Sequence, residues 1–491
     1  IRHSDTNPLI TKQNTFYSSE SPQNRIIIVS LLSTKMSPMP HFLVIPFPVL
    51  GHVNPLMQFS QVLAKHGCKV TFLNTEYSQK RMAASSSEQH NNNNENPINI
   101  VTLPDGLSDD NDRSKPVEFV QSVRATMPEK LPKLIEEVNN NNGNEESKIS
   151  CIVVSMTMGW ALEVGHKLGI KGAVMFPGSA TSNASLDCAE RLIHDGIIDS
   201  ETGLPTKNQE IQLSPSMPMM DPAHLPWMTT LGKSFFAPML KEVETLRRFG
   251  QWWLCNTTYE LEPGALSISP KFLPIGPLLP DDQSTSTSSF WQEDQTCLDW
   301  LDRQPPQSVI YVSFGSLAVM DPNQFRELAL GLDLLDKPFL WVIRPSNTNK
   351  HNNNYVLPEG FKGDKGKIIS WAPQRKVLNH PSMACFVSHC GWNSTIEGVY
   401  SGVPFLCWPF FGDQFQDKAY ICDVWKIGMG FDKDENGLIT REEIKKKVEK
   451  LLGDEEIRQS SLKWKEIAMN NIAEGGQSSE NLHKFINWAK E

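Results

Sequence analysis

Between Trp371 and Gln414 the stretch WAPQRKVLNHPSMACFVSHCGWNSTIEGVYSGVPFLCWPFFGDQ brings together residue types that suit a sugar nucleotide. Trp371 offers a flat aromatic face. Asn393 and Ser394 favour a helix N-terminus, and Gly391 before them lets the backbone approach a ligand closely, so free amides and the helix dipole would face a diphosphate. Glu397 follows Asn393 by one turn on the same face, where a carboxylate can accept hydrogen bonds from ribose hydroxyls. Asp413 and Gln414 are polar side chains of the kind that read a hexose. Taken one at a time, each residue has a bland reading: a lone Trp packs in a core, and a lone His is a hydrogen-bonded structural residue. Their joint spacing is what points to a pocket.

The elements around them must deliver these groups to one edge. Residues 367–370 read as a short strand ending at Trp371, followed by a short helical stretch to His380. Residues 385–388 read as a second strand running into His389 and the start of a helix, and 405–408 as a third strand leading to Asp413 and Gln414. Open α/β sheets bind ligands at the carboxyl ends of their strands. Upstream, 308–313 is expected as a strand, 322–335 as a helix and 339–343 as a strand. The N-terminal half shows the same alternation: strands 41–48, 68–74, 98–103, 151–155 and 172–176, with helices 54–66, 116–138 and 159–168. Strands alternating with helices imply βαβ units and parallel sheets.

A break follows FLPIGP at 272–277, and PDDQSTSTSS at 280–289 has the composition of a flexible linker. The expected organisation is therefore a leader at 1–35, an N-terminal domain at 36–279, a linker at 280–295 and a second domain at 296–475. A terminal segment at 476–491 ends in a polar amphipathic helix over 481–491. The fold class is α/β, with two doubly wound, Rossmann-like domains facing a cleft. The Asn runs at 91–94 and 139–142 are expected to be surface loops.

With these residues in view, the 371–414 box closely resembles the signature of plant UDP-sugar-dependent glycosyltransferases that act on secondary metabolites. The resemblance runs from about Pro40 to the C-terminus. It implies the two-domain architecture called GT-B, with an acceptor-binding domain at 36–279, a UDP-sugar-binding domain at 296–475 and the last helix crossing back onto the N-terminal domain. It implies that Trp371, with Ala372 beside it, stacks on uracil and that Gln374 and Glu397 hold ribose. His389, Asn393 and Ser394 would hold phosphates, with Ser313 and Ser316 of SFGS as further contacts, while Trp392, Asp413 and Gln414 would address the sugar. Gln414 at the end of the box resembles the glucose-using members, so UDP-glucose is the expected co-substrate, with no bound cofactor and no metal.

Length and composition agree with an enzyme of this size. A chain of 491 residues has room for two or three domains. A formal net charge of −10 without a local basic stripe argues against a nucleic-acid partner. Nine cysteines at 68, 151, 188, 255, 297, 385, 390, 407 and 422 form no CxxC pair, which favours a reducing, cytoplasmic setting and argues against zinc. Residues 1–35 precede the first Met, Met36, and the apolar run 26–32 has only seven residues and no small-x-small cleavage pattern after it at 33–35; a translated upstream stretch is expected instead. No apolar run has the ~20 residues of a membrane helix, and a monomer is expected.

The base candidate is His52 in PFPVLGHVNP, directly after the first strand, since an imidazole with pKa near ~6.5 can take a hydroxyl proton. A structural alternative is a His capping a helix that begins near Asn54. In the family an Asp ends the strand before a Trp and supports the imidazolium; the matching stretch here, CIVVSMTMGW, carries Ser155 at that position. Ser155 could accept a hydrogen bond from His52 but brings no charge. Loss of the carboxylate costs ~10⁴ in the serine-protease template, and the penalty falls as the acceptor hydroxyl becomes more acidic. Phenolic or carboxylic acceptors are therefore expected over aliphatic alcohols, with a weakly active or silent UDP-sugar-binding protein as the alternative.

The acceptor pocket is expected from Met156, Trp160, Gly178 and Ser179 and the Met/Pro-rich 217–227 stretch, giving an apolar site for a small aromatic, flavonoid or terpenoid. The resemblance also implies a hydroxyl near 177–181 that touches the sugar, with Gly178 and Ser179 both open for that position. The DxD-spaced pairs Asp110/Asp112 and Asp432/Asp434 are read as solvated loops rather than manganese sites. A dinucleotide oxidoreductase lacks support, because no GxGxxG follows the first strand of either half.

Overall fold

Runs such as FLVI at 42–45, CIVV at 151–154, VIYV at 309–312 and ACFV at 384–387 are apolar at every position. That pattern belongs to parallel strands covered by helices on both faces, and all four runs are buried. The computed structural model describes residues 39–491 apart from 86–96, 110, 112, 114, 142–146, 229–234, 280–292 and 345–355. The expected leader, the Asn91–Asn94 loop, Asp110 and Asp112, and the 280–289 linker stretch lie outside the described residues.

Two parallel sheets organise the chain. The first holds β1 (His41–Ile45), β2 (Lys69–Thr75), β3 (Ile98–Leu103), β4 (Ile149–Val154), β5 (Lys171–Phe176), β6 (Trp252–Cys255) and β7 (Phe272–Pro274) in the order β3-β2-β1-β4-β5-β6-β7. The second holds β8 (Val309–Ser313), β9 (Phe339–Val342), β10 (Gly366–Ile369), β11 (Met383–Ser388), β12 (Phe405–Cys407) and β13 (Gly428–Gly430) in the order β10-β9-β8-β11-β12-β13. Each is a Rossmann-like doubly wound sheet. In both, the chain runs outward from a central strand and then returns to its other side, leaving a crevice between β1 and β4 and another between β8 and β11. Ligands of open α/β sheets bind at such switch points, beyond the carboxyl ends of the strands. The register pairs Ile45 with Val154 at the first crevice and Ser313 with Ser388 at the second.

The C-terminal helix Gln477–Lys490 packs on the first sheet. Its fully buried Phe485 stacks on Phe42 of β1 with ring centroids 5.5 Å apart, and truncating a buried Phe costs ~3–5 kcal/mol. Asn481 donates to the Pro274 carbonyl at 2.8 Å and Lys171 Nζ to the Trp488 carbonyl at 2.6 Å, so the chain end is tied to β7 and β5.

Several element boundaries differ from the sequence reading, each for a local reason. β1 stops at Ile45 because Pro46 and Pro48 cannot donate to a ladder. The next helix, Leu50–Lys65, begins four residues before Asn54, with extended Val49 as its N-cap and Pro55 inside the helix. The helix Pro116–Asn141 runs on through Asn139, Asn140 and Asn141 instead of opening into a loop there. Asn139 has a structural task, accepting the Ile149 amide at the start of β4 at 2.9 Å. Among the described residues no helix is long and apolar enough to cross a membrane.

Candidate active site

The two crevices face each other where the Leu50–Lys65 helix of the first half meets the Trp392–Ser401 helix of the second. Asn393 Nδ2 donates to the Gly51 carbonyl at 3.4 Å, joining the residue before His52 to the first turn after β11. Trp392 adds a firmer tie, its indole N–H donating to the Asn256 carbonyl at 2.9 Å while the ring, 2% exposed, packs near Trp425. The indole N–H of Trp392 is thus committed to holding the halves together.

On the second half, the Trp392–Ser401 helix starts at Gly391 without a side-chain cap, so its first amides are not satisfied by a neighbouring side chain. His389 sits ahead of it. A Cβ built on Gly315 would lie 2.6 Å from His389 Nε2, and one on Gly391 would lie 2.5 Å away. Both glycines therefore make room for the imidazole. Burial, with the nearby Arg344 charge second, pushes the His389 pKa down to about 4, so the ring is neutral near pH 7. Its Nδ1 is buried without a partner. Cys390 between them has φ 64, a left-handed backbone that a β-carbon residue holds at some cost.

Arg344, just past β9, pins the loop after β8 by donating to the Ser316 carbonyl and, at 2.8 Å, to the Ala318 carbonyl. It places a cation beside His389 and the Ser313–Ser316 turn. The sequence reading missed it, because a single Arg at the end of a strand carries no motif.

Gln374, Ser394 and Glu397 form one network. Gln374 Nε2 donates to Glu397 Oε2 at 2.8 Å and to Ser394 Oγ at 3.0 Å, and the Tyr311 hydroxyl donates to Gln374 Oε1 at 3.1 Å. Tyr311, a fully buried residue of β8, was also missed; its alternation within an apolar strand looks like core. Burial raises the Glu397 pKa, partly offset by the Gln374 hydrogen bond. Ala372 is buried next to Trp371, whose carbonyl accepts the Asp294 amide at 2.9 Å.

Asp413 and Gln414 stand at the start of the helix Gln414–Ala419. Gln414 Oε1 accepts the Phe410 and Phe411 amides at 2.8 and 3.3 Å. Burial pushes the Asp413 pKa up to about 6. A Cβ on Gly178 would lie 3.4 Å from Asp413 Oδ2, so Gly178 is the member of the 177–181 stretch beside it. Ser179 is used otherwise: fully buried, it caps the helix Ala180–Asp187 by accepting the Ser182 amide at 3.2 Å. Thr181 Oγ1 is also engaged, with Glu262 at 2.8 Å and the Tyr420 hydroxyl at 3.0 Å.

On the first half, His52 lies in the first turn of its helix, with its amide bonded to the Val49 carbonyl at 2.9 Å. Its ring packs edge-on against Phe47 at 5.7 Å. Nδ1 is buried without a hydrogen-bond partner, so the ring does not cap the helix. Burial pushes its pKa down to about 4. Ser155, at 0% exposure beyond β4, accepts the Phe47 amide at 2.7 Å and directs its own hydroxyl toward the Met156 carbonyl at 3.4 Å. The expectation that Ser155 accepts from His52 is thus corrected: a short hydroxyl is satisfied by the nearer backbone, and the imidazole has no acid or hydroxyl behind it.

Beyond Ser155, the turn carrying Met156 and Thr157 opens on a cavity of about 260 Å³ against the helices Pro116–Asn141 and Phe236–Phe249. Trp160 lies on the following helix, its Nε1 buried without a partner. A second hollow of about 350 Å³ around Arg375, Lys376, His380 and Tyr400 shares none of the site's expected side chains. Asp432 pairs with Lys447 at 3.0 Å and Asp434 closes its own loop by accepting the Asn436 and Leu438 amides. Among the described residues no group of three or more His, Cys, Asp or Glu could hold a metal ion.

Comparison with known proteins gives this geometry its family. Residues 270–470 match the family model described as UDP-glucoronosyl and UDP-glucosyl transferase. The chain is 43% identical over 469 residues to UDP-glycosyltransferase 83A1 of Arabidopsis thaliana, covering 93% of this chain and 98% of that one. It is 33% identical to gallate 1-beta-glucosyltransferase 84A24 of Punica granatum, over 92% of this chain and 89% of that protein. Among solved structures, Phytolacca americana UGT2 complexed with UDP-2fluoro-glucose and pterostilbene superposes with a TM-score of 0.75 at 25% identity, covering 92% of this chain and all of that one. The two facing Rossmann-like sheets are the GT-B arrangement, and the chain belongs to the plant UDP-glycosyltransferase family.

Proposed function

We propose that this protein moves glucose from UDP-glucose to an acidic hydroxyl, phenolic or carboxylic, of a small hydrophobic acceptor, with inversion to a β-glucoside. In this reading Trp371 and Ala372 meet uracil, and the Gln374–Glu397 pair meets ribose. His389, Asn393, Ser394, Ser313 and Ser316 surround the diphosphate, with Arg344 adding charge. Asp413, Gln414 and the Trp392 amide address the sugar, and His52 takes the acceptor proton. The protein works as a cytoplasmic monomer with no bound cofactor.

One observation carries the reading: the two switch points meet at the Gly51–Asn393 contact, which sets His52 against the uncapped helix start that a leaving diphosphate needs. The acceptor class follows from the state of His52. A base whose pKa is pushed down to about 4, with no partner on Nδ1, is neutral but weak. A phenol near pKa ~10 is some six units more acidic than water at ~15.7, worth ~8 kcal/mol of full proton transfer at 1.36 kcal/mol per unit, and the transition state feels part of that. A carboxylic acid is already ionised and needs no base. The relative named for gallate, a phenolic carboxylate, and the pterostilbene bound in the solved neighbour support this class.

The test is a panel of phenols, carboxylic acids and aliphatic alcohols with UDP-glucose, scored by mass spectrometry. Phenols and acids should be glucosylated and alcohols should lag by about a hundredfold or more; equal turnover of alcohols refutes the reading. The unsupported His52 Nδ1 also favours a second reading, a UDP-sugar binder without transfer. Such a protein would be stabilised against heat by UDP-glucose while releasing no UDP with any acceptor.

A further inference from the structure

The cavity behind the Met156–Thr157 turn has a wall of mixed character. Val117, Val120, Met156, Phe235 and Met239 make it apolar, yet Arg124 and Glu242 also line it. Glu242 is 3% exposed, forms an ion pair with Arg124 and accepts the Gly159 amide at 2.6 Å, holding the first turn of the helix after β4. Two polar atoms on this wall have no partner: Arg124 Nε and Thr157 Oγ1 are both buried and unbonded. Thr157 holds φ 74, a conformation a β-branched residue rarely adopts. Phe47 links the cavity to the reaction centre, packing at 5.7 Å on His52 and at 5.5 Å on Phe119, which lies between Val117 and Val120 in sequence.

We propose that this cavity receives the tail of the acceptor and selects tails that end in an uncharged hydrogen-bond acceptor, such as a ketone, ester or ether, over tails that end in a carboxylate. This deepens the functional reading above and rests on it for the placement of the reacting hydroxyl at His52. An apolar tail fills the wall, and a carbonyl oxygen satisfies the Arg124 Nε–H and the Thr157 hydroxyl, donors that are otherwise buried unpaired. A carboxylate fares worse, because the Arg124 charge is already matched by Glu242. A second anion beside the buried Glu242 would be uncompensated.

Three para-substituted phenols of equal size test this: one with a methyl-ketone tail, one with the isosteric isopentyl tail and one with the isosteric propanoate tail. In kcat/KM for the phenolic glucoside the ketone should lead the isopentyl compound by about tenfold and the propanoate by about a hundredfold. In the double variant Arg124→Leu with Glu242→Gln, where Gln can still accept the Gly159 amide, the ketone's lead over isopentyl should shrink well below the native value, because only the Thr157 hydroxyl is left to donate. Binding of the same three phenols to the wild type without donor, read by tryptophan fluorescence, should follow the same order. Equal binding of the three tails, preference for the propanoate, or an unchanged ketone lead in the double variant overturns the inference. The expected binding order with no glucosylation of any phenol would instead overturn the functional reading and leave the cavity's selectivity standing.

Discussion

Replacing Ser155 by Asp should give His52 the acid it lacks, and the size of the effect follows from the site. Burial holds the His52 pKa at about 4 against 6.5 in water, so the imidazolium is disfavoured by ~3 kcal/mol at 1.36 kcal/mol per pH unit. Ser155 Oγ lies 2.7 Å from the Phe47 amide. An Asp there could keep that hydrogen bond on one oxygen and offer the other to the unpartnered Nδ1. A carboxylate at hydrogen-bond range raises a neighbouring base by one to three units as an order of magnitude. The assay is the pH dependence of kcat/KM, which reports the free enzyme's base. Activity falls as pH drops through that pKa, because protonated His52 cannot accept the acceptor's proton. The acid limb should move from about 4 in the native protein to roughly 6 in the variant. Turnover of an aliphatic alcohol should rise by about 10- to 100-fold, well inside the ~10⁴ of the protease template, and that of a phenol by less. Ser155→Asn, similar in shape without the charge, should leave the limb where it was. An unmoved limb in Ser155→Asp, or an equal gain in Ser155→Asn, would refute the reasoning.

Other consequences are open to direct measurement. Gly391→Ala should raise the KM for UDP-glucose by about tenfold or more, since its Cβ would lie 2.5 Å from His389 Nε2 and must displace the ring; an unchanged KM would show that the ring's place is immaterial. Acid should destabilise the fold through His41, which bonds the Ser147 carbonyl and Thr71 Oγ1 at 2.9 Å each and has its pKa pushed down to about 4 by burial. The unfolded chain binds that proton from about pH 6.5 downward and the folded protein only near pH 4, so stability falls across that window by up to ~3 kcal/mol. Denaturant titrations at pH 7 and 4.5 on native protein and His41→Gln should show a smaller loss in the variant. Cys422 is partly exposed, and its pKa is lowered by a hydrogen bond with Cys407, whose Sγ is 3.8 Å away. It should be the first of the nine cysteines to react with iodoacetamide; earlier labelling of a buried thiol would contradict the packing.

Much of this site could be read from the chain because its groups sit at strand ends, where short apolar runs mark the sheet and the next polar residues mark the crevice. Gln374 and Glu397, put together by the family resemblance, meet at 2.8 Å. What could not be read depends on contacts between distant segments. Arg344 reaches back to the Ser316 loop, and Tyr311 is hidden in a strand where an aromatic ring looks like core. The indole of Trp392 is drawn off by Asn256, and Ser179 is drawn off by the helix it caps; both residues looked free because their partners lie far away or are backbone atoms. Ser155 gives the sharpest case. Its identity announced the loss of an acid, but only the fold reveals that its hydroxyl turns to Phe47 and leaves His52 alone.

The central claim is that His52, unsupported by an acid, still removes the acceptor proton as glucose leaves UDP. Incubating the native protein and His52→Ala with UDP-glucose and a simple phenol, and following the anomeric signals by NMR, tests it directly. The native protein should convert the α-linked donor to a β-phenyl glucoside, and His52→Ala should do so at least about a hundredfold more slowly. An α-product, no product, or equal rates in the two proteins would contradict it.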